Sequence, residues 1–112
     1  MACFDGRMIH HTMLVSFDGA IPDADLDQFL QDIEKVMLDS GHVLTAAARR
    51  HIPVPGEEAI PAMIATAVIQ FGVADLKALG AAFEAPGVEG IIHRWQGRYP
   101  YKVAFVNHEP LD

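Results

Sequence analysis

The chain is poor in the residues that usually announce a chemistry. Cys3 is its only cysteine, which excludes an internal disulfide and any multi-cysteine metal site. The serines, Ser16 and Ser40, sit in no Gly-x-Ser-x-Gly setting, so serine-nucleophile catalysis has no support. No glycine-rich phosphate loop occurs. Positive charge is scarce: 8 Lys and Arg face 15 Asp and Glu, for a formal net charge of −7. Nucleic-acid phosphates need a basic face, so no nucleic-acid partner is expected. No apolar run approaches the roughly 20 residues that span a bilayer, and no membrane partner is expected. The N-terminus lacks the charged region, apolar stretch and small-residue cleavage site of a secretory signal, which makes a cytoplasmic protein the default expectation.

What is present is a chain built for burial. Of its 112 residues, 51% are hydrophobic and 21% charged, the balance of one folded domain over residues 1–112. "MACFDGR", residues 1–7, reads as a flexible extension ahead of the natural start, and Cys3 within it receives no function.

From Met8 to Phe17 the residues alternate, with Ile9, His11, Met13, Val15 and Phe17 on one face, which predicts a strand. "DADLDQFLQDIEKVMLDSG" places Leu26, Phe29, Leu30, Ile33 and Met37 at helical spacing, with Asp23 as N-cap and Gly41 as the stop. "HVLTAAARRHI" and "AMIATAVIQF" read as the second and third strands, separated by a loop at "PVPGEEAIP". "ADLKALGAAF" is a second helix, "APGVEGIIHRWQGR" a turn and a short helical piece, and "YPYKVAFVN" a last strand. The order β-α-β-β-α-β predicts a ferredoxin-like α+β domain, a four-stranded antiparallel sheet with its helices on one face. The opposite face (Thr12, Leu14, Ile64, Thr66, Val68, Ala104, Val106) is mostly apolar or small. With no further helix to cover it, a second copy of the sheet is the natural cover, which predicts a homodimer.

"MIHHTMLVSF", the acidic helix after it, "AVIQF" running into the second helix, "APGVEG" and the hydrophobic last strand together resemble the dimeric α/β-barrel superfamily. The likeness covers Met8 to Asn107 and is strongest to the stress-responsive (Dabb) branch. In that branch a histidine precedes the apolar run of the first strand; counting back from Phe17, the matching residue is His11. The resemblance implies a cavity between sheet and helices, and a cyclase of this branch uses histidine and tyrosine there. Two further histidines of that cyclase would fall near Ala65 and Val88 here, so only His11 carries over. The superfamily also contains cofactor-free monooxygenases, haem-degrading enzymes, dehalogenation or decarboxylation enzymes and members of unknown role, so membership alone selects no reaction.

His11 shares its face with apolar residues, where burial favours the neutral imidazole, the form a general base needs beside a carbonyl. The competing reading is a core histidine satisfied by one hydrogen bond. His10 points to the other face, so the two adjacent histidines cannot share one ion. A site gathering His11, His51 and His93 has no supporting spacing, and no metal or cofactor is expected. Ala46, Ala47, Ala48, Ala65 and Ala67 either permit close packing or leave room for a flat apolar ligand. Trp95, Tyr99 and Tyr101 either pack the core or line the pocket. Arg49, Arg50, His51, His93, Arg94, Arg98 and Lys102 either form a solvated rim or clamp an anion. The expected catalytic residues are His11, Tyr99 and Tyr101, and the expected ligand contacts are Met13, Ala47, Ala65 and Trp95. The ligand is expected to be a small apolar or aromatic carbonyl compound. Three activities fit: a cofactor-independent cyclase, isomerase or lyase; a non-catalytic ligand-binding or stress-response protein; and a cofactor-free monooxygenase.

Overall fold

The computed structural model describes residues 8–112; the 1–7 extension and Cys3 lie outside the described residues. The elements are β1 (Ile9–Phe17), α1 (Asp23–Asp39), β2 (Thr45–Arg50), β3 (Ala67–Val73), α2 (Leu76–Phe83), α3 (Val88–Arg98) and β4 (Tyr101–His108). The strands form one antiparallel sheet in the order β2-β3-β1-β4. This is the ferredoxin-like arrangement expected from the sequence, with one more helix. Among the described residues no helix is long and apolar enough to cross a membrane.

The inward face of β1 packs as its alternation requires. Val15 is fully buried and pairs with Ala67 of β3; it shares one core cluster with Ile69 and Phe71 of β3 and Phe29, Ile33 and Met37 of α1. Leu26, Phe29, Leu30, Ile33 and Met37 are all buried, the five positions read from helical spacing. Gly41 ends α1 with φ 83°, a left-handed conformation that a β-carbon would strain.

The sequence reading needs correction at four places. Asp23 is not the N-cap of α1: Pro22 holds that position, and Asp23 is the first helical residue with its carboxylate turned to Arg50. β2 covers only Thr45–Arg50 and β3 starts only at Ala67. The regular ladder ends at the Arg50–Ala67 pair; one further bond, His51 N–H to the Thr66 carbonyl at 2.8 Å, closes it before the proline-rich connection with Pro53, Pro55 and Pro61 begins. Ile64 and Thr66 therefore precede β3, and Thr66 Oγ1 instead accepts from the Phe17 N–H at 3.1 Å. Finally, the "short helical piece" is an eleven-residue helix that packs on α1, separated from α2 by Gly87 at φ 90°. Its two glycines, Gly90 and Gly97, weaken its sequence signal, while buried Val88 and Trp95 hold it in place.

The outer face carries the expected apolar surface. Leu14 pairs in register with Val68 and Ala104, and Leu14, Val68 and Val106 remain exposed. Across it runs one polar chain. Gln70 Nε2 donates to Thr12 Oγ1 at 2.9 Å, and Thr12 Oγ1 lies 2.7 Å from His108 Nε2. His10 faces this side as expected, its ring 5.7 Å from that of His108.

Candidate functional site

Between the inner sheet face and the helices lies a cavity of about 330 Å3. That volume is enough for a small organic ligand. Its sheet wall is His11, Met13 and Val15 of β1, Ile69 and Phe71 of β3, and Tyr101, Val103 and Phe105 of β4. The helices supply Phe29, Ile33, Val36 and Met37 from α1, Phe83 from α2, and Val88, Ile92 and Gln96 from α3. No Asp, Glu, Lys or Arg lines it.

His11 is 4% exposed, the only polar side chain among the buried described residues. Its imidazole stacks on Phe71 with an interplanar angle of 5°. It meets the edge of Phe83 at 5.5 Å and lies 4.9 Å from Phe105. Three phenyl rings thus fix the plane of the imidazole. The rotation within that plane is fixed by Asn107, whose Oδ1 lies 2.6 Å from Nδ1. An amide oxygen only accepts, so Nδ1 carries the proton and donates. Nε2 then carries the ring's lone pair, and the bond to Asn107 is the only side-chain hydrogen bond of His11 among the described residues. Asn107 was not singled out in the sequence. Only the register, which sets His11 opposite Asn107, reveals it.

The other expected residues divide. Met13 lines the cavity beside His11. Tyr101 also lines it, but at the far end: it pairs with Phe17, six positions along the strand from the His11–Asn107 pair. That separation is roughly 20 Å of backbone, too far for both side chains to act on one atom. Burial pushes the Tyr101 phenol up from its ordinary value, against a smaller opposing effect of Gln96. The phenol is thus held as a hydroxyl donor rather than a base. Tyr99 lies outside the cavity and donates its hydroxyl to Asp25. Trp95 is buried but seals the α1–α3 contact, its Nε1 donating to Asp32 Oδ2 at 3.0 Å. Ala47 is on the outer face opposite Gln70, while Ala46 and Ala48 take the inward positions. Ala65 precedes β3 and does not line the cavity.

Most of the basic residues singled out are spent on surface ion pairs, while Arg49 donates to the Ala48 carbonyl at 2.8 Å. Arg50 reaches Asp23 and Asp27, Arg94 reaches Asp32, Arg98 reaches Asp25, and Lys102 reaches Asp18. His51 pairs with Glu57, and His93 lies at a separate shallow depression between α2 and α3. Among the described residues no group of three or more His, Cys, Asp or Glu is arranged to hold a metal ion.

No protein-family model and no curated protein matches this sequence. Solved structures do. A Dabb family protein with a ferredoxin-like fold from Mesorhizobium loti is 19% identical with TM-score 0.72, over 95% of this chain and 99% of that one. A hydroxynitrile lyase from Passiflora edulis is 11% identical with TM-score 0.73, over 96% of each chain. A dimeric ferredoxin-like protein of unknown function from Thermobifida fusca is 11% identical with TM-score 0.72, over 98% of this chain and 97% of that one. The chain therefore has the ferredoxin-like fold seen in Dabb and dimeric α/β-barrel proteins. The resemblance read from "MIHHTMLVSF" holds at the level of the fold.

Proposed function

We propose that the protein is a small, cofactor-independent enzyme of the cyclase, isomerase or lyase type, with His11 as its general base. The observation that carries this reading is the free Nε2 of His11, opening on an apolar, charge-free cavity and oriented by Asn107. A positioned imidazole of this kind takes a proton from a C–H or O–H next to a carbonyl. Nδ1–H stays bonded to Asn107 throughout, and on proton transfer that same bond becomes charge-assisted, from a positive ring to a neutral acceptor. The walls select against charged ligands, because no ionised side chain offsets their desolvation. A neutral apolar or aromatic carbonyl compound fits that selection. That a protein of this fold is a hydroxynitrile lyase supports the lyase form of this reading. Met13 would contact the ligand beside His11, and Tyr101 would contact its distal end.

The same reading includes a homodimer. The outer face is an apolar surface with a polar seam, and a structural neighbour is described as dimeric. Burying Leu14, Val68 and Val106 against a second copy removes them from water.

The test uses neutral aryl ketones such as phenylacetone in heavy water, with deuterium uptake at the α-carbon followed by proton magnetic resonance. The wild-type protein is expected to accelerate uptake, and His11→Ala to lose roughly a hundredfold or more of that acceleration while still binding the neutral dye N-phenylnaphthylamine. Equal acceleration by His11→Ala would remove the base role. Dye binding without any acceleration by the wild type would favour the non-catalytic binding reading.

A further inference from the structure

The cavity is unroofed on one side. Its sheet wall is sealed at Ile69 and Phe71, 1% and 0% exposed, yet Val103 is 39% and Phe105 63% exposed. The cause is topological. β4 is an edge strand, and the helices pack chiefly over β2, β3 and one another. Phe105 is the ring closest to the His11 imidazole, so this opening lies at the candidate catalytic group itself.

The same chain carries a surplus of apolar side chains elsewhere. The connection between β2 and β3, residues 51–66, exposes Ile52, Val54, Ile60 and Met63, the last at 96%. It is nevertheless built to hold a shape. His51 Nε2 lies 2.9 Å from Glu57, Glu57 Oε1 also accepts from the Val54 N–H at 3.1 Å, and a 3-10 turn follows at Glu57–Ala59. Three prolines restrict it further. The polar groups of this arm are turned to one another and its hydrophobic ones to water, the reverse of a loop made for solvent.

We propose that a second copy of the chain completes each cavity, its 51–66 arm closing over Val103 and Phe105 and adding Met63 to the wall. This rests on the dimer reading above and extends it from the outer face to the site. The arm and the opening are on one molecule, and a closed two-fold satisfies both twice. β2 and β4 are the two edges of the sheet, and a two-fold along the strands sets the β4 of one copy against the β2 of the other. β2 ends with Arg50 at the same end of the sheet where β4 begins with Tyr101, so the partner's arm emerges beside the start of β4. β4 has apolar residues on both faces, which makes the opening continuous with the outer surface. The charges are compatible: the arm carries exposed Glu58, and exposed Lys102 on β4, 3.5 Å from Asp18 within its own chain, is of opposite sign.

The experiment mixes two single-cysteine proteins, Cys3→Ser/Met63→Cys and Cys3→Ser/Val103→Cys, under mild oxidation, with sedimentation of each protein alone. Both substituted side chains are exposed, so folding is not at stake. A disulfide-linked mixed dimer is expected. In a parallel measurement Met63→Glu should weaken N-phenylnaphthylamine binding about tenfold with the dimer intact, since a buried charge replaces apolar contact. A dimer that gives no mixed cross-link overturns this proposal and leaves the dimer reading standing. Monomers at micromolar concentration overturn both.

Discussion

At the scale of single residues, the site depends on one histidine held in one orientation. Phe71, Phe83 and Phe105 confine the His11 ring to a plane, and Asn107 decides which nitrogen faces the cavity. Asn107→Leu keeps the bulk but removes the acceptor, allowing the ring to turn or exchange its tautomer. Deuterium uptake into the ketone should then fall roughly tenfold or more, while dye affinity stays unchanged. Asn107→Asp, which restores an acceptor at the same place, should recover a large part of the lost rate. A parallel loss of binding and rate would instead make Asn107 a merely structural residue. His11 was legible in the sequence because a polar residue on an apolar strand face is conspicuous by alternation alone. Asn107 was not, because its importance depends on which residue of β1 lies across from it. The same dependence on register separated Ala47 from Ala46 and Ala48: three identical residues in a row carry no alternation to read.

At the scale of elements, hydrophobic spacing gave β1 and α1 almost to the residue, since each has one long face to bury. It failed where burial is shared out differently. β4 exposes side chains on both faces, and α3 buries only Val88 and Trp95 of its eleven residues. The arm between β2 and β3 is held by polar contacts that no periodicity reports. Its Glu57 carboxyl lies below its ordinary value of 4.5, first because of the hydrogen bond with His51 and then because of the Val54 N–H. A lowered carboxyl stabilises the arm above that ordinary value, and the stabilisation is lost as pH falls through the lowered one. Protection of the Val54 amide against hydrogen exchange, corrected for the intrinsic rate, should therefore decline from about pH 4.5 downward. Glu57→Gln should show weak protection at every pH. An acid-independent wild type would mean that the prolines alone hold the arm.

At the scale of the whole molecule, the sheet divides two tasks between its faces. The inner face of β1 presents His11 to the cavity, and the outer face leaves Leu14 exposed, on the surface proposed for a second copy. Because association stabilises only the folded state, the melting temperature should rise with protein concentration across a roughly hundredfold range. Leu14→Lys, which would bury a charge between Val68 and Ala104 of its own sheet and the facing copy, should sediment as a monomer and melt independently of concentration. A concentration-independent wild type would contradict the dimer. The apolar outer face was readable in the sequence, since its strands carry apolar residues on both sides.

β4 also sets a condition on how the chain is made. As an edge strand it leaves one row of backbone N–H and C=O groups without a sheet partner, flanked by Phe105 on one side and Val106 on the other. Such an edge invites any extended apolar segment to add to it. On the dimer reading, an isolated copy is an aggregation hazard until it meets its partner, and correct pairing has to outrun fibrous association during synthesis. On that reading Leu14→Lys, which keeps the exposed edge and loses the partner, should aggregate more readily than the wild type at high expression.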